Sequence, residues 1–158
     1  MSNLLLGLRL LHILGATVLF GTSLGIAFFM LMAHRTRDAA LIAHTARIVV
    51  IADALFTATA VVIQPLTGLG LARLIGFSLT EPWLALSLIL YVLVGACWLP
   101  VVWIQLRLRN LAAAAARGSR ALPVAYHRLF RVWFALGWPA FAGVVVIFAL
   151  MVWRPTAW

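Results

Sequence analysis

Four apolar runs of 20 residues or more divide this sequence, and each is long enough to carry a helix through a bilayer, which takes ~20 apolar residues. The rest of the chain could not cover them with a soluble surface. Of 158 residues, 66% are apolar and only 9% are charged, against roughly 25% charged in soluble domains. A mean hydropathy of +1.14 agrees. Inside lipid every backbone N–H and C=O must be satisfied within the protein, so helices are the expected solution. The sequence therefore predicts an all-α integral membrane four-helix bundle, folded as a single transmembrane domain over 1–158.

The helices are expected at about 4–33, 46–71, 83–117 (with the membrane part ending near 107) and 129–153. The first run lacks a basic flank and outlasts the ~15 apolar residues of a signal peptide, so it reads as a retained helix. His34 to Asp38 form a polar break that forces an antiparallel return. Gln64-Pro65, Gly68 and Gly70 are expected to weaken the far end of helix two. Thr80 is placed to cap helix three, with Glu81 and Pro82 in its first turn and Gly118 at its end. Trp83, Trp153 and Trp158 are expected to anchor the outer interface.

The net charge of +9 follows topology. Arg35, Arg37, Arg47, Arg107, Arg109, Arg117, Arg120, Arg128 and Arg131 flank or fill the connections on one side, while Arg9, Arg73 and Arg154 lie on the other. That bias predicts two cytoplasmic connections, with both termini on the outer (periplasmic) side of a bacterial inner membrane. Once it is accounted for, no basic patch is left to grip nucleic acid, and the expected partner is the lipid bilayer.

Ionisable groups inside a span are costly, which singles out His12 and Asp53. Asp53 shares a helical face with Thr57, Ala60 and Gln64. Pro100 and Pro139 fall at about its depth and free the carbonyls of Ala96 and Ala135. Two readings of Asp53 stand: a buried network with Arg131 or Arg47, or a catalytic, proton-handling carboxyl. His12 shares a face with Gly15, Ala16, Leu19 and Ser23, while Gly21 and Gly25 form a G-x-x-x-G pair opposite, suited to a second copy or another membrane partner. His12 is either a hydrogen-bonded packing residue or a ligand to a metal or haem. In the haem case Arg9 and Arg73 are placed to meet propionates.

His34, His44 and His127 fall at the arginine-rich boundary, where solvation or lipid phosphate is expected. Cys97 stands alone within an apolar run, so no internal disulfide forms. The chain has no C-x-x-C, H-E-x-x-H, phosphate loop or nucleophile elbow, which removes the hydrolase and nucleotide classes those motifs serve.

Leu11-His12, Phe20-Gly21, Asp53, Gln64-Pro65-Leu66, Tyr91, the run Cys97 to Trp103, Trp133-Phe134 and Gly137-Trp138-Pro139 together carry a resemblance. Over nearly its whole length the chain resembles a bacterial family of predicted integral membrane proteins of unknown function. That resemblance implies the four-helix architecture and no particular activity. A second one is confined to helix one: Leu11-His12 followed by Phe20 is similar to haem-binding membrane protoporphyrinogen oxidases and to copper-resistance membrane proteins. It implies a ligand role for His12 alone.

Three functional classes follow. The first is a membrane redox protein holding b-type haem or a metal through His12, with Asp53 moving protons. The second is an accessory or structural membrane protein in which the same residues lock the bundle. The third is a small oligomeric transporter.

Overall fold

The computed structural model describes residues 3–155, and Trp158, one of the expected interface anchors, lies outside them. Four long helices cross: α1 (Asn3–Thr36), α2 (Ala39–Ile75), α3 (Pro82–Arg117) and α4 (Val124–Trp153). No strand occurs among the described residues. At 1.5 Å per residue α1 and α3 are each about 50 Å long, well beyond a ~30 Å hydrocarbon core, so their ends project or the helices tilt. The surface is inverted relative to a soluble protein, with Leu66, Val92, Leu99 and Val152 each more than 60% exposed.

Helix ends depart from the sequence expectation where local capping decides them. The break after α1 is only two residues, because Arg37 takes a left-handed conformation (φ 59°) and Asp38 caps α2 at once. Asp38 Oδ1 accepts from the N–H groups of Ala40 (2.8 Å) and Leu41 (3.1 Å), starting α2 seven residues before the expected 46. Its far end also outruns expectation, continuing through Pro65, Gly68 and Gly70 to Ile75. There Gly76 (φ 88°) closes it in the left-handed conformation. Glu81, not Thr80, is the N-cap residue of α3, and the Thr80 hydroxyl is instead held by Ser78 at 2.6 Å. Gly118 does end α3, and α4 starts at Val124 directly after Pro123.

Cross-helix contacts fix the antiparallel registers. Between α1 and α2, His12 meets Thr67 and Gly15 faces Gln64. Between α2 and α3, Asp53 meets Trp98 and Val61 meets Tyr91. Between α3 and α4, Val94 lies over Gly143 and Trp83 under Arg154. Between α1 and α4, His34 stacks on Phe130 and Phe20 on Phe141.

The two halves of the bundle pack differently. The main core, built from Ile26, Met30, Ile42, Val49, Leu108, Tyr126, Phe130 and Trp133 among others, lies in the arginine-rich half. In the opposite half, α1 has no buried residue before Ile26. There the segment Ala58–Ile75 leans on α1 and largely parts from α3. A small cluster of Ala72, Trp83, Leu84 and Leu150 ties the extreme end together. Trp83 is therefore a packed residue, 5% exposed, and not the lipid-facing anchor expected; Trp153 at 80% suits that part.

The divergence begins at a π-helical turn, Asp53–Thr57, in which the Ala58 N–H reaches back to the Asp53 carbonyl. A wider turn of this kind re-aims the rest of the helix. Pro65 deletes the donor that the Val61 carbonyl would otherwise have, and the Tyr91 hydroxyl donates to that carbonyl from α3.

Candidate functional site

His12 points from α1 into a notch on α2. Its Nδ1 lies 2.8 Å from Thr67 Oγ1. The Thr67 hydroxyl has one proton, and the Ile63 carbonyl takes it at 2.8 Å, with the Gln64 carbonyl at 3.2 Å. Toward His12 the same oxygen therefore accepts, which assigns the imidazole proton to Nδ1. The Gln64 backbone carbonyl also lies beside the ring, and Nε2 makes no well-formed hydrogen bond among the described residues.

Glycine makes the notch possible. A side chain at Gly68 would put its Cβ 3.2 Å from His12 Cε1. One at Gly15 would sit 3.4 Å from Gln64 Oε1, and one at Gly70 would press on Leu8 at 3.5 Å. These small residues let α1 and α2 approach closely around the imidazole. Gln64 Oε1 is buried beside them without a hydrogen bond. Arg9 and Arg73 are both exposed on the arginine-poor side of this notch. By the α1/α2 register both lie within about two turns of His12.

Asp53 occupies a separate place. It is 5% exposed, and Trp98 Nε1 donates to its Oδ1 at 3.3 Å. The Thr57 hydroxyl lies beside the carboxyl but makes no well-formed hydrogen bond to any group. The expected partnership with Arg131 or Arg47 is replaced by this indole: among the described residues no ion pair reaches Asp53, and both arginines are exposed. Pro100 and Pro139 do lie at its depth by the helix registers, yet both are exposed and line no polar layer around it.

By the α1/α2 register Asp53 lies level with Ile26. That is 14 residues beyond His12, or about 21 Å at the helical rise. The two groups singled out by sequence are thus not one site. What lies between them on α2 is the buried face Asp53, Thr57, Ala60, Gln64 and Thr67, with two orphaned oxygens, Thr57 Oγ1 and Gln64 Oε1. Buried polar atoms of this kind are where internal water is retained.

The functional geometry that sequence reading missed consists of the Thr67 partner, the Trp98 donor and the Tyr91 bond. In the sequence Tyr91 stands out only through the family resemblance, Trp98 through that resemblance and as a packing or interface residue, and Thr67 not at all. The i, i+3 step from Gln64 to Thr67 was the available signal for extending the polar face.

The remaining histidines gather elsewhere. His34 and His127 have ring centroids 5.9 Å apart at the arginine-rich end, and His44 is exposed. Among the described residues no three His, Cys, Asp or Glu side chains are placed to hold a metal ion together. Gly21 is exposed, and nothing lies within 4 Å of where its side chain would be. Gly25 is approached only by Phe29 of its own helix.

No curated protein and no solved structure matches the chain. A family model does match residues 6–155, with the description "Predicted integral membrane protein (DUF2269)". Four long apolar helices over the same stretch agree with that description, and the chain belongs to this family of multi-pass integral membrane proteins.

Proposed function

We propose that the protein is a membrane redox protein in which His12 holds a b-type haem through Nε2. The observation that carries this reading is the hold on the imidazole: Nδ1 lies 2.8 Å from the Thr67 hydroxyl, an outer contact of the kind that fixes a ligating histidine, while Nε2 makes no well-formed hydrogen bond among the described residues. A bare metal ion is less well served, because no second or third ligand converges on His12. Haem would ask the protein for only one or two ligands, a demand that His12 can meet in part. When bound it would supply one-electron chemistry.

The chain's own residues then divide the remaining tasks. Gly68 lets the imidazole of His12 seat against α2, Gly15 and Gly70 let the two helices close on either side of it, and Arg9 and Arg73 offer cations to propionates. Met151 of α4 falls at nearly the depth of His12 by the α1/α4 register and is the internal candidate for a second ligand; otherwise that position stays open or is filled by a second chain. Asp53 is too distant for direct exchange with His12. Its proposed role is to hold a proton at the arginine-rich end of the Thr57 and Gln64 face. The arginine split supports the accompanying orientation, with both termini outside. A reporter active only in the cytoplasm, fused after residue 158, should then be silent.

Haemin titration of the purified full chain tests the ligand assignment. Wild type should develop a Soret band at one haem per chain or per dimer, and His12→Gly should not. Added imidazole should restore the band in His12→Gly by filling the vacated ligand position. An undiminished band in His12→Gly removes His12 from the site.

A second reading is favoured by a specific observation. The arginine-poor half of α1 buries no residue, and its Gly21 and Gly25 face is uncovered. An accessory membrane protein would use this surface to pack a partner helix, or a second copy of the chain, at close range. If the haemin titration gives no band in any preparation, this reading takes first place.

A further inference from the structure

At the arginine-rich end, between the close of α1 and the start of α4, His34, Arg35, Arg37 and His127 line a cavity of about 600 Å³. That lies within the roughly 300–1,000 Å³ typical of ligand pockets. We propose that this cavity binds the phosphate of an anionic phospholipid headgroup.

Every side chain lining the cavity is basic or can become so. The start of α4 adds to the positive potential, since its N-cap, Pro123, makes no side-chain cap and its first turn contains no acidic residue. Backbone N–H groups there point outward with the positive end of the helix dipole. A cation such as Arg128 is unfavourable at that helix end unless an anion joins it. The nearby carboxylate, Asp38, turns its Oδ1 to the cap of α2 and forms no ion pair with the cavity arginines among the described residues.

The imidazole of His34 is not free to swing away. It stacks on Phe130 with centroids 3.7 Å apart and planes 7° apart, and its Nδ1 lies 3.3 Å from the hydroxyl of the fully buried Tyr126. That leaves Nε2 as the edge available to a phosphate oxygen. A rigid floor with two flexible arginines at the rim suits a tetrahedral oxyanion.

A lipid, and not free phosphate, is favoured by what lies deeper. Phe130 stacks on Phe134, and Phe134 meets Trp138 edge to face, so an aromatic ladder descends α4 from the cavity. Phe134 is 38% exposed and Trp138 65%, an apolar strip along which an acyl chain can lie while its headgroup occupies the basic cavity. Basic pockets at membrane-protein boundaries bind anionic lipid by this combination.

Native mass spectrometry of the full chain with equal amounts of phosphatidylglycerol and phosphatidylcholine reads the proposal directly. Wild type should retain the anionic lipid, and Arg35→Gln with Arg37→Gln should lower its preference by about 25-fold, at roughly fivefold per arginine. His127→Gln, at an exposed position, should lower it independently. The control pair Arg117→Gln with Arg120→Gln removes the same charge elsewhere on that face and should leave the preference in place. Equal losses in the control and cavity variants would reduce the effect to general surface charge and overturn the proposal. So would displacement of the bound lipid by millimolar inorganic phosphate, which would identify a free-phosphate site.

Discussion

Replacing Tyr91 by phenylalanine removes one oxygen and with it the donor that serves the Val61 carbonyl. Interhelical hydrogen bonds in membranes average only about 0.6 kcal/mol and reach about 1.7, because the separated helices usually find other partners. The Val61 carbonyl has no such fallback, since Pro65 occupies the position whose N–H would bond it. Leaving a buried acceptor unpaired costs about 1–3 kcal/mol, so the expected loss is near the upper end of the membrane range, about 1–2 kcal/mol. The fallback can be put back: alanine at position 65 supplies an N–H to the same carbonyl. Against Pro65→Ala, Tyr91→Phe should cost less than about 0.5 kcal/mol. Reversible denaturation of the full chain in bicelles gives all four corners of this double-mutant cycle. A cost of Tyr91→Phe that is the same with proline and alanine at 65 would refute the reasoning.

Three further outcomes follow from the packing. Gly143→Val should weaken the α3/α4 contact by roughly 1–3 kcal/mol, because a Cβ there would stand 2.6 Å from Val94 Cγ2, and Val94→Ala should recover most of the loss in the same denaturation assay. Asp53→Asn should change stability by less than about 1 kcal/mol, since it keeps an acceptor for Trp98 and abandons no counter-ion; a loss of 3 kcal/mol or more would require a cation partner. Arg154→Ala should loosen the end cluster by about 0.5–2 kcal/mol, as its guanidinium covers Phe77 at 5.4 Å and Trp83 at 5.7 Å, and tryptophan fluorescence should report a more solvated Trp83.

The architecture was legible because lipid imposes a coarse and strong pattern: run length sets the spans and arginine placement sets the two ends. The inward face of Asp53, Thr57, Ala60 and Gln64 was legible too, since helical periodicity survives the π turn closely enough to keep all four toward the interior. Partners across helices were not. Trp98 on Asp53, Tyr91 on Val61 and Val94 over Gly143 depend on register between helices joined by loops, and nothing local encodes that register. Pro100 and Pro139 show the same limit, because their depth follows from counting while the face they present depends on packing. That α2 runs past the expected end at 71 has another reason. Within a membrane the helix has no water to fray into, and a neighbouring hydroxyl repairs the missing bond.

The central claim, that His12 offers its Nε2 to a haem iron, is tested most directly by the visible spectrum of the purified full chain as isolated, oxidised and then reduced with dithionite. The account predicts a Soret band in both states, an alpha band on reduction, and loss of both in His12→Ala while the protein still elutes as an intact helical species. Absence of these bands from wild-type protein, whether as isolated or after reconstitution with haemin, would contradict it.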